Sequence, residues 1–190
     1  DPEVFLQTLN GIPRSAEGLI GGTKAEPKPI PKMALGFGVQ EDNVAAEFNI
    51  PPAQTATDFS NHIAKALAYL NKLAKAQKLK LDVVAAQHFS LEELMTEHAQ
   101  RLGCDPDICA WTEMLNMPPI PPKTLRTAAG HIHISWVFPE DPERFLLAKA
   151  CDVYLGLPGP LVTCKKGRRE RSGKPPAMRL KKQRIECRSL

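Results

Sequence analysis

Four short segments set charged, amide or imidazole side chains on the face opposite to their apolar neighbours. "EVFL" sets Glu3 against Val4 and Leu6, and "AAEFN" sets Glu47 and Asn49 against Ala46 and Phe48. "HIHIS" sets His131 and His133 against Ile132 and Ile134, and "RIECR" sets Glu186 and Arg188 against Ile185 and Cys187. A period of two belongs to a β-strand, which sends successive side chains to opposite faces. His131 and His133 should therefore share a face, roughly 6.5–7 Å apart at strand rise. If the four strands lie in one sheet, their apolar sides meet helices. Their polar sides then converge on an open concave face with three carboxylates, two imidazoles and a guanidinium. Carboxylate and imidazole ligate a divalent metal, while Arg forks onto phosphate oxygens. A metal site holding phosphates fits that inventory.

Helices to cover such a sheet are also legible. From Thr57, Phe59, Ile63, Ala66, Leu67, Leu70 and Ala74 recur at helical spacing, with lysines crowding the C-terminal half as the macrodipole favours. "SLEELMTEHAQRLG" predicts a second helix with Ser90 and Glu93 as a capping box. "DPERFLLAKACDVYLG" predicts a third, opened by Asp141 as N-cap with Pro142 in the first turn and closed at Gly156. Gly and Pro fill 18–38, which reads as a loop able to cover a site, and "MPPIPP" reads as a stiff connector. His62, His98 and His88 read as surface or partly buried histidines without a role.

A chain of 190 residues with 43% hydrophobic content supports one core, so a single domain over 1–190 is expected. The opening "DPEVFL" and the closing "IECRSL" read as trimmed ends. No run of about 18 apolar residues offers a membrane span. Five scattered cysteines do not resemble a disulfide framework, and Cys104 and Cys109 are too widely spaced for a zinc knuckle. Reduced thiols in a cytoplasmic compartment follow. Residues 165–190 hold eleven Lys/Arg against two Glu, while the remainder is acidic on balance. This basic segment lacks an aromatic residue to stack on a base, so a loop holding ligand phosphates is preferred to a nucleic-acid arm.

The segments "DPEVFL", "IGGTKAEPKP", "EDNVAAEFNIPPA", "GCDPDICAWT", "RTAAGHIHISW" and "RRERSGKPPAMRLKKQRIECRSL" resemble, in that order, the phage-type carboxylate–amine ligases of type 2. That family is similar to glutamate–cysteine ligase and glutamine synthetase. The resemblance implies an α+β fold, a curved, mainly antiparallel sheet with helices on its convex face. It implies amide formation between a carboxylate and an amine through an acyl phosphate, with ATP and magnesium, or manganese in its place. The substrate partner would be a small molecule or peptide, in the cytoplasm, or the host cytoplasm if the chain is phage-encoded. Residue by residue, Glu3, Glu47, His131, His133 and Glu186 correspond to metal ligands. Arg168, Arg169, Lys174, Arg179 and Arg188 correspond to nucleotide-binding positions, with Arg188 also acting at the transferring phosphoryl group.

The site can be extended on chemical grounds. Lys24 or Lys28 on the 18–38 loop could reach a substrate carboxylate, with Asn49 beside Glu47 as a further contact. Asp42 is the candidate base for the incoming amine. Departures from the family pattern fall in the basic segment, where Ser172-Gly173-Lys174-Pro175-Pro176 stands in place of Tyr-Gly-Lys-Ala-Gly. Arg184 replaces a glycine, Cys187 replaces an aromatic, and an acidic residue near 163 is missing. Exchanging flexible Gly for Pro alters a phosphate loop. Two alternatives therefore stand beside the ligase: a metal-dependent hydrolase using His131 and His133, and a catalytically degenerate binding or virion-associated module. The identity of the joined carboxylate and amine, and the oligomeric state, are left open by the sequence.

Overall fold

Antiparallel pairing organises the computed structural model of the chain, which describes residues 1–101, 107–116, 122–136, 140–156, 177–181 and 184–188. Its strands are β1 (Glu3–Thr8), β2 (Pro13–Arg14), β3 (Lys28–Pro29), β4 (Gly38–Asp42), β5 (Ala45–Asn49), β6 (Leu79–Asp82), β7 (Ala86–His88), β8 (Ile108–Cys109), β9 (Leu125–Thr127), β10 (Ile132–Ser135), β11 (Ala177–Lys181) and β12 (Arg184–Cys187). The helices are α1 (Ala56–Ala76), α2 (Glu97–Gln100) and α3 (Asp141–Cys151). The architecture is mixed α+β, with a curled antiparallel sheet and few helices. Two compact units result, Asp1–Leu102 with Pro122–Ala128, and Gly103–Pro121 with Ala129–Leu190.

In the first unit, strands run in the order β2-β1-β5-β4-β3, and β6 joins β1. Leu6 and Gln7 pair with β2 and also with β6, so β1 is bonded along both edges. Val4 and Leu6 point with Val39, Ala46 and Phe48 onto Ala66, Leu70 and Ala74 of α1, as the alternation and the helical spacing predict. Thr55 caps α1, its hydroxyl accepting from Asp58 N at 3.1 Å. Leu70 is fully buried in this core. Leu70→Ala should cost about 3 kcal/mol through lost transfer energy and the cavity left behind. Urea unfolding followed by the helical circular-dichroism signal of α1 checks this.

The face of β1 that carries Glu3 differs from expectation. Phe5 shares it and is fully buried, packed with Val44, Ala45, Phe89, Leu94, Ala99 and Ala128, its ring edge-on to Phe89 at 5.4 Å. That face is therefore polar only toward the start of β1. The 18–38 segment is also more tightly held than a free lid. Ile20, Ile30 and Phe37 lie in the α1 core, and Glu41 Oε1 accepts from Ile20 N at 3.1 Å and Gly21 N at 2.7 Å. Gly22 sits at φ +83°, and a Cβ there would come within 2.5 Å of the Val39 carbonyl oxygen. Only glycine lets this turn lie against β4.

The predicted second helix is replaced by a 3-10 turn at Glu92–Leu94 and the short α2. Glu93 does not close a capping box on Ser90. Its carboxylate instead takes Ser15 N at 2.7 Å and Arg14 Nε at 2.8 Å, and Thr96 caps α2 by accepting from Ala99 N at 3.0 Å. His62 and His88 hydrogen-bond within the first unit, to the Pro51 carbonyl and the Thr124 hydroxyl. His98 lies 3.8 Å from Glu17.

The second unit holds a sheet in the order β10-β12-β11-β8. Ile134, Met178, Leu180, Ile185 and Cys187 face α3 through Phe145, Leu147, Ala148 and Cys151. α3 begins one residue earlier than predicted, with Glu140 as N-cap and Glu140 N donating to Glu143 at 3.3 Å. It runs regularly to Cys151 before a wider π turn over Asp152–Gly156. The segment 177–181, read as part of a basic loop, is β11, because Ala177, Met178 and Arg179 alternate against β12 and are buried. The four polar-faced strands also divide between sheets: β1 pairs β5 in the first unit, and β10 pairs β12 in the second. Hydrogen bonding to β10 on one edge and β11 on the other fills β12. No helix is long and apolar enough to cross a membrane among the described residues.

Candidate active site

The first polar row runs across β1, β5 and β4. Glu3 stands opposite Glu47, and Glu47 opposite Gln40, because the antiparallel registers align them. A carboxylate oxygen of Glu3 and one of Glu47 lie within 4.8 Å. Gln40 Nε2 donates to Glu47 Oε2 at 2.7 Å, and Gln40 Oε1 accepts from Asn49 Nδ2 at 3.2 Å. The Gln40 amide is thereby oriented, with its donor end on the carboxylate. Glu47 and Gln40 are both 3% exposed. Burial pushes the Glu47 pKa up and the charge of Asp42 adds to the rise, against the Gln40 hydrogen bond and the charge of Lys24. An anion so placed favours a nearby cation.

Lys24 and Asp42, both singled out from sequence, thus share the electrostatic neighbourhood of Glu47. Lys28 does something different: it pairs with Val39 across β3 and β4, and its Nζ donates to the Ile20 carbonyl at 3.4 Å. Gln40 escaped the sequence reading. Its signal is the spacing in "GVQEDNVAAEFN", where Asp42-Asn43-Val44-Ala45 makes a hairpin turn and carries Gln40 directly opposite Glu47. Asn43 adopts φ +56°, a left-handed conformation that Asn tolerates.

The second polar row crosses β10, β12 and β11, with His133 opposite Glu186 and Glu186 opposite Arg179. Glu186 Oε1 accepts from Arg188 Nη1 at 2.6 Å and from Arg179 Nη1 at 3.3 Å, and His131 Nδ1 lies 3.8 Å from the same oxygen. Lys181 Nζ lies 3.6 Å from Oε2. Arg188 also reaches Asp107, Nε to Oδ2, at 3.6 Å, and Asn116 holds Asp107 at 2.8 Å. Burial would raise the Glu186 pKa, but the Arg188 hydrogen bond and the charges of Arg188 and Arg179 hold it down at about 2. Burial lowers His131 to about 3, assisted by Arg188, and His133 to about 4, with Arg184 and Lys181 assisting and Glu186 opposing.

Both imidazoles are therefore neutral at pH 7, the protonation state that a metal ligand requires. Both feel the charge of Glu186. Lys181 and Asp107 were not anticipated. Lys181 falls on the polar face of β11 by alternation with Leu180, a signal hidden by the basic run around it. Arg179 projects from this strand rather than from a loop. Arg168, Arg169 and Lys174 lie outside the described residues. Comparison with family profiles, curated proteins and solved structures finds no match to this chain.

Proposed function

We propose that the chain is an ATP- and magnesium-dependent ligase that joins a carboxylate to an amine through an acyl phosphate, on a glutamine synthetase-like fold. The observation that carries this reading is the Glu3–Glu47 pair, two acids in register and within 4.8 Å. Hard carboxylate oxygens brought this close suit magnesium, with manganese as a substitute. When bound, the metal supplies neutralising charge to phosphate oxygens.

The remaining roles belong to the chain itself. Gln40 fixes the orientation of Glu47, and Lys24 provides a cation beside it for a substrate carboxylate. Asn49, tied to Gln40, offers a further substrate contact. Asp42 takes the proton released as the amine attacks. In the second unit, His131 and His133 present neutral ring nitrogens as metal donors. A metal that takes Glu186 as ligand would share it with arginine charge. Arg179 and Arg188 bring that charge to phosphate oxygens, where preorganised donors lower the barrier. A second reading, nucleotide binding without turnover, draws on the engagement of Arg188 by both Glu186 and Asp107.

Glu47→Gln tests the metal role with two opposed readouts. A buried acid whose pKa is raised stabilises the fold below its ordinary pKa and loses that contribution as pH rises, so at neutral pH its charge is a burden. The amide removes the charge while its oxygen can still accept from Gln40. We expect Glu47→Gln to be more stable than the parent in chelator, by on the order of 1 kcal/mol, and so to melt at higher temperature. Magnesium-dependent ATP binding, followed by calorimetry, should be lost in the same variant. A variant that binds magnesium and ATP as the parent does removes Glu47 from the metal site.

A further inference from the structure

One end of the first unit brings two exposed aliphatic side chains beside a group of lysines. The β1–β2 hairpin turns through Leu9-Asn10-Gly11, closed by Thr8 N donating to the Ile12 carbonyl at 2.8 Å and Gly11 N to the Thr8 carbonyl at 2.9 Å. Ile12 N donates to the Thr8 hydroxyl at 3.0 Å, and Gly11 takes the left-handed position at φ +86°. Neither aliphatic side chain of this turn finds cover: Leu9 is 67% exposed and Ile12 60%. The neighbouring turn, from α1 into β6, is basic. Thr8 pairs with Leu79, which sets Lys78 and Lys80 on either side of that pairing, and Lys78 N donates to the Lys75 carbonyl at 3.0 Å. Lys80 Nζ reaches across to the Leu9 carbonyl at 3.2 Å, so an ammonium stands at the hairpin tip itself. Lys75, Lys78 and Lys80 are all exposed, and none forms an ion pair among the described residues. Residues 59–81 hold five lysines and no Asp or Glu, and residues 4–16 hold Arg14 and no acid.

We propose that this end of the first unit docks onto an anionic lipid bilayer, with Leu9 and Ile12 entering the headgroup region and Lys75, Lys78 and Lys80 resting on lipid phosphates. The shape favours a bilayer over a protein. Leu9 and Ile12 stand on the outside of a tight turn, which offers no groove to a peptide or helix, whereas a bilayer yields to such a tip and covers it from every side. The charge favours it too. A neutral apolar partner would have to desolvate the lysines, while anionic headgroups attract them, each lysine strengthening attachment about fivefold. Lasting attachment takes two signals together, and an apolar tip beside a basic patch supplies both. Glu3 lies at the other end of β1, roughly 20 Å away at strand rise. The tip can therefore engage a surface while the polar row of Glu3 and Glu47 stays clear of it.

The test sediments the full chain with vesicles of phosphatidylcholine, alone or mixed with phosphatidylserine. The chain should pellet with the mixed vesicles, stay in solution with phosphatidylcholine alone, and be released by added salt. Leu9→Ser with Ile12→Ser leaves every charge in place and should weaken binding by about tenfold or more, through the lost transfer of two aliphatic side chains. Lys75→Gln, Lys78→Gln and Lys80→Gln together should weaken it by about a hundredfold. These positions are exposed, so both variants should melt with the parent, and a matched melting temperature keeps an unfolded chain from passing as a non-binder. Binding that survives both variants and falls only when Lys165 and Lys166 are replaced by Gln belongs to the basic segment at 165–190 and overturns the proposal. Failure to pellet with the mixed vesicles overturns it outright. Attachment to polyglutamate with none to the vesicles also overturns it, and makes an acidic protein the partner.

Discussion

Arg188→Lys is expected to lower ATP-dependent amide formation by about two to three orders of magnitude, the scale of losing one preorganised donor at developing charge. Arg188 follows β12, held at 2.6 Å from Glu186 and at 3.6 Å from Asp107. Those two carboxylates fix the direction of a planar guanidinium. Lysine preserves the charge but not the fork, and a flexible ammonium cannot hold both carboxylates and an equatorial phosphate oxygen together. Magnesium-dependent ATP affinity should change far less than turnover, because the proposed contact with the transferring phosphoryl group would tighten in the transition state. Steady-state kinetics with calorimetry on the same preparation separates the two quantities. Turnover within a few-fold of the parent would make Arg188 an ion-pair residue only.

Glu186→Gln carries the largest expected effect on stability. The carboxylate is 4% exposed and offsets Arg179, Arg188 and Lys181, so its loss leaves buried guanidinium charge uncompensated. Breaking one side of such a cluster costs about 3–5 kcal/mol. The pH dependence gives an independent handle. The folded-state pKa of Glu186 lies at about 2, below its ordinary value of 4.5. A depressed carboxylate contributes stability that is complete above its unfolded pKa and is lost as pH falls toward the folded one. The parent should therefore lose on the order of 3 kcal/mol between pH 4.5 and 2 from this group. The variant should lack that component at every pH and show a flatter acid limb. Trp111 and Trp136 both lie in the second unit, so tryptophan fluorescence reports the unfolding of that unit. A variant within 0.5 kcal/mol of the parent at pH 7, about the scatter of ordinary surface substitutions, would show that Glu186 does not organise this cluster.

Much of the two-faced strand pattern was legible because burial enforces it. A one-residue slip of β5 would send Ala46 and Phe48 out of the α1 core, so their identity fixes where Glu47 points. The same holds for Ile185 against Glu186. The α1 spacing was legible for a related reason, since Ala66, Leu70 and Ala74 must share a stripe to be buried together. Phe59, assigned to that stripe, is 38% exposed, because it lies in the first turn of the helix.

What escaped were pairings between distant segments. Nothing local announces that Glu93 will turn to Arg14 and Ser15 instead of capping its own helix. Strand β11 was hidden because the charged Arg179 and Lys181 on the face of Glu186 outweigh Met178 and Leu180 in any short window. The same limit applies to each of the two polar rows. Their acids and imidazoles could be assigned faces from alternation, while Gln40 in the first row, and Lys181 and Asp107 in the second, became visible only through register and folding. The division of β1–β5 and β10–β12 between two sheets was equally invisible, because alternation reports which face a residue takes and not which strand it pairs with.

The most direct measurement is phosphate release from ATP by the full chain, with magnesium and a panel of amino-acid and peptide carboxylates paired with amines. The proposed ligase releases phosphate only when magnesium, a carboxylate and an amine are all present, and amide product accumulates in equal amount. In Glu47→Gln and Arg188→Lys that release should fall together with the product. Calorimetric binding of magnesium and ATP with no release under any pairing would contradict ligase chemistry and leave a binding module. Cleavage of amide substrates at a rate indifferent to ATP would contradict it in favour of a hydrolase.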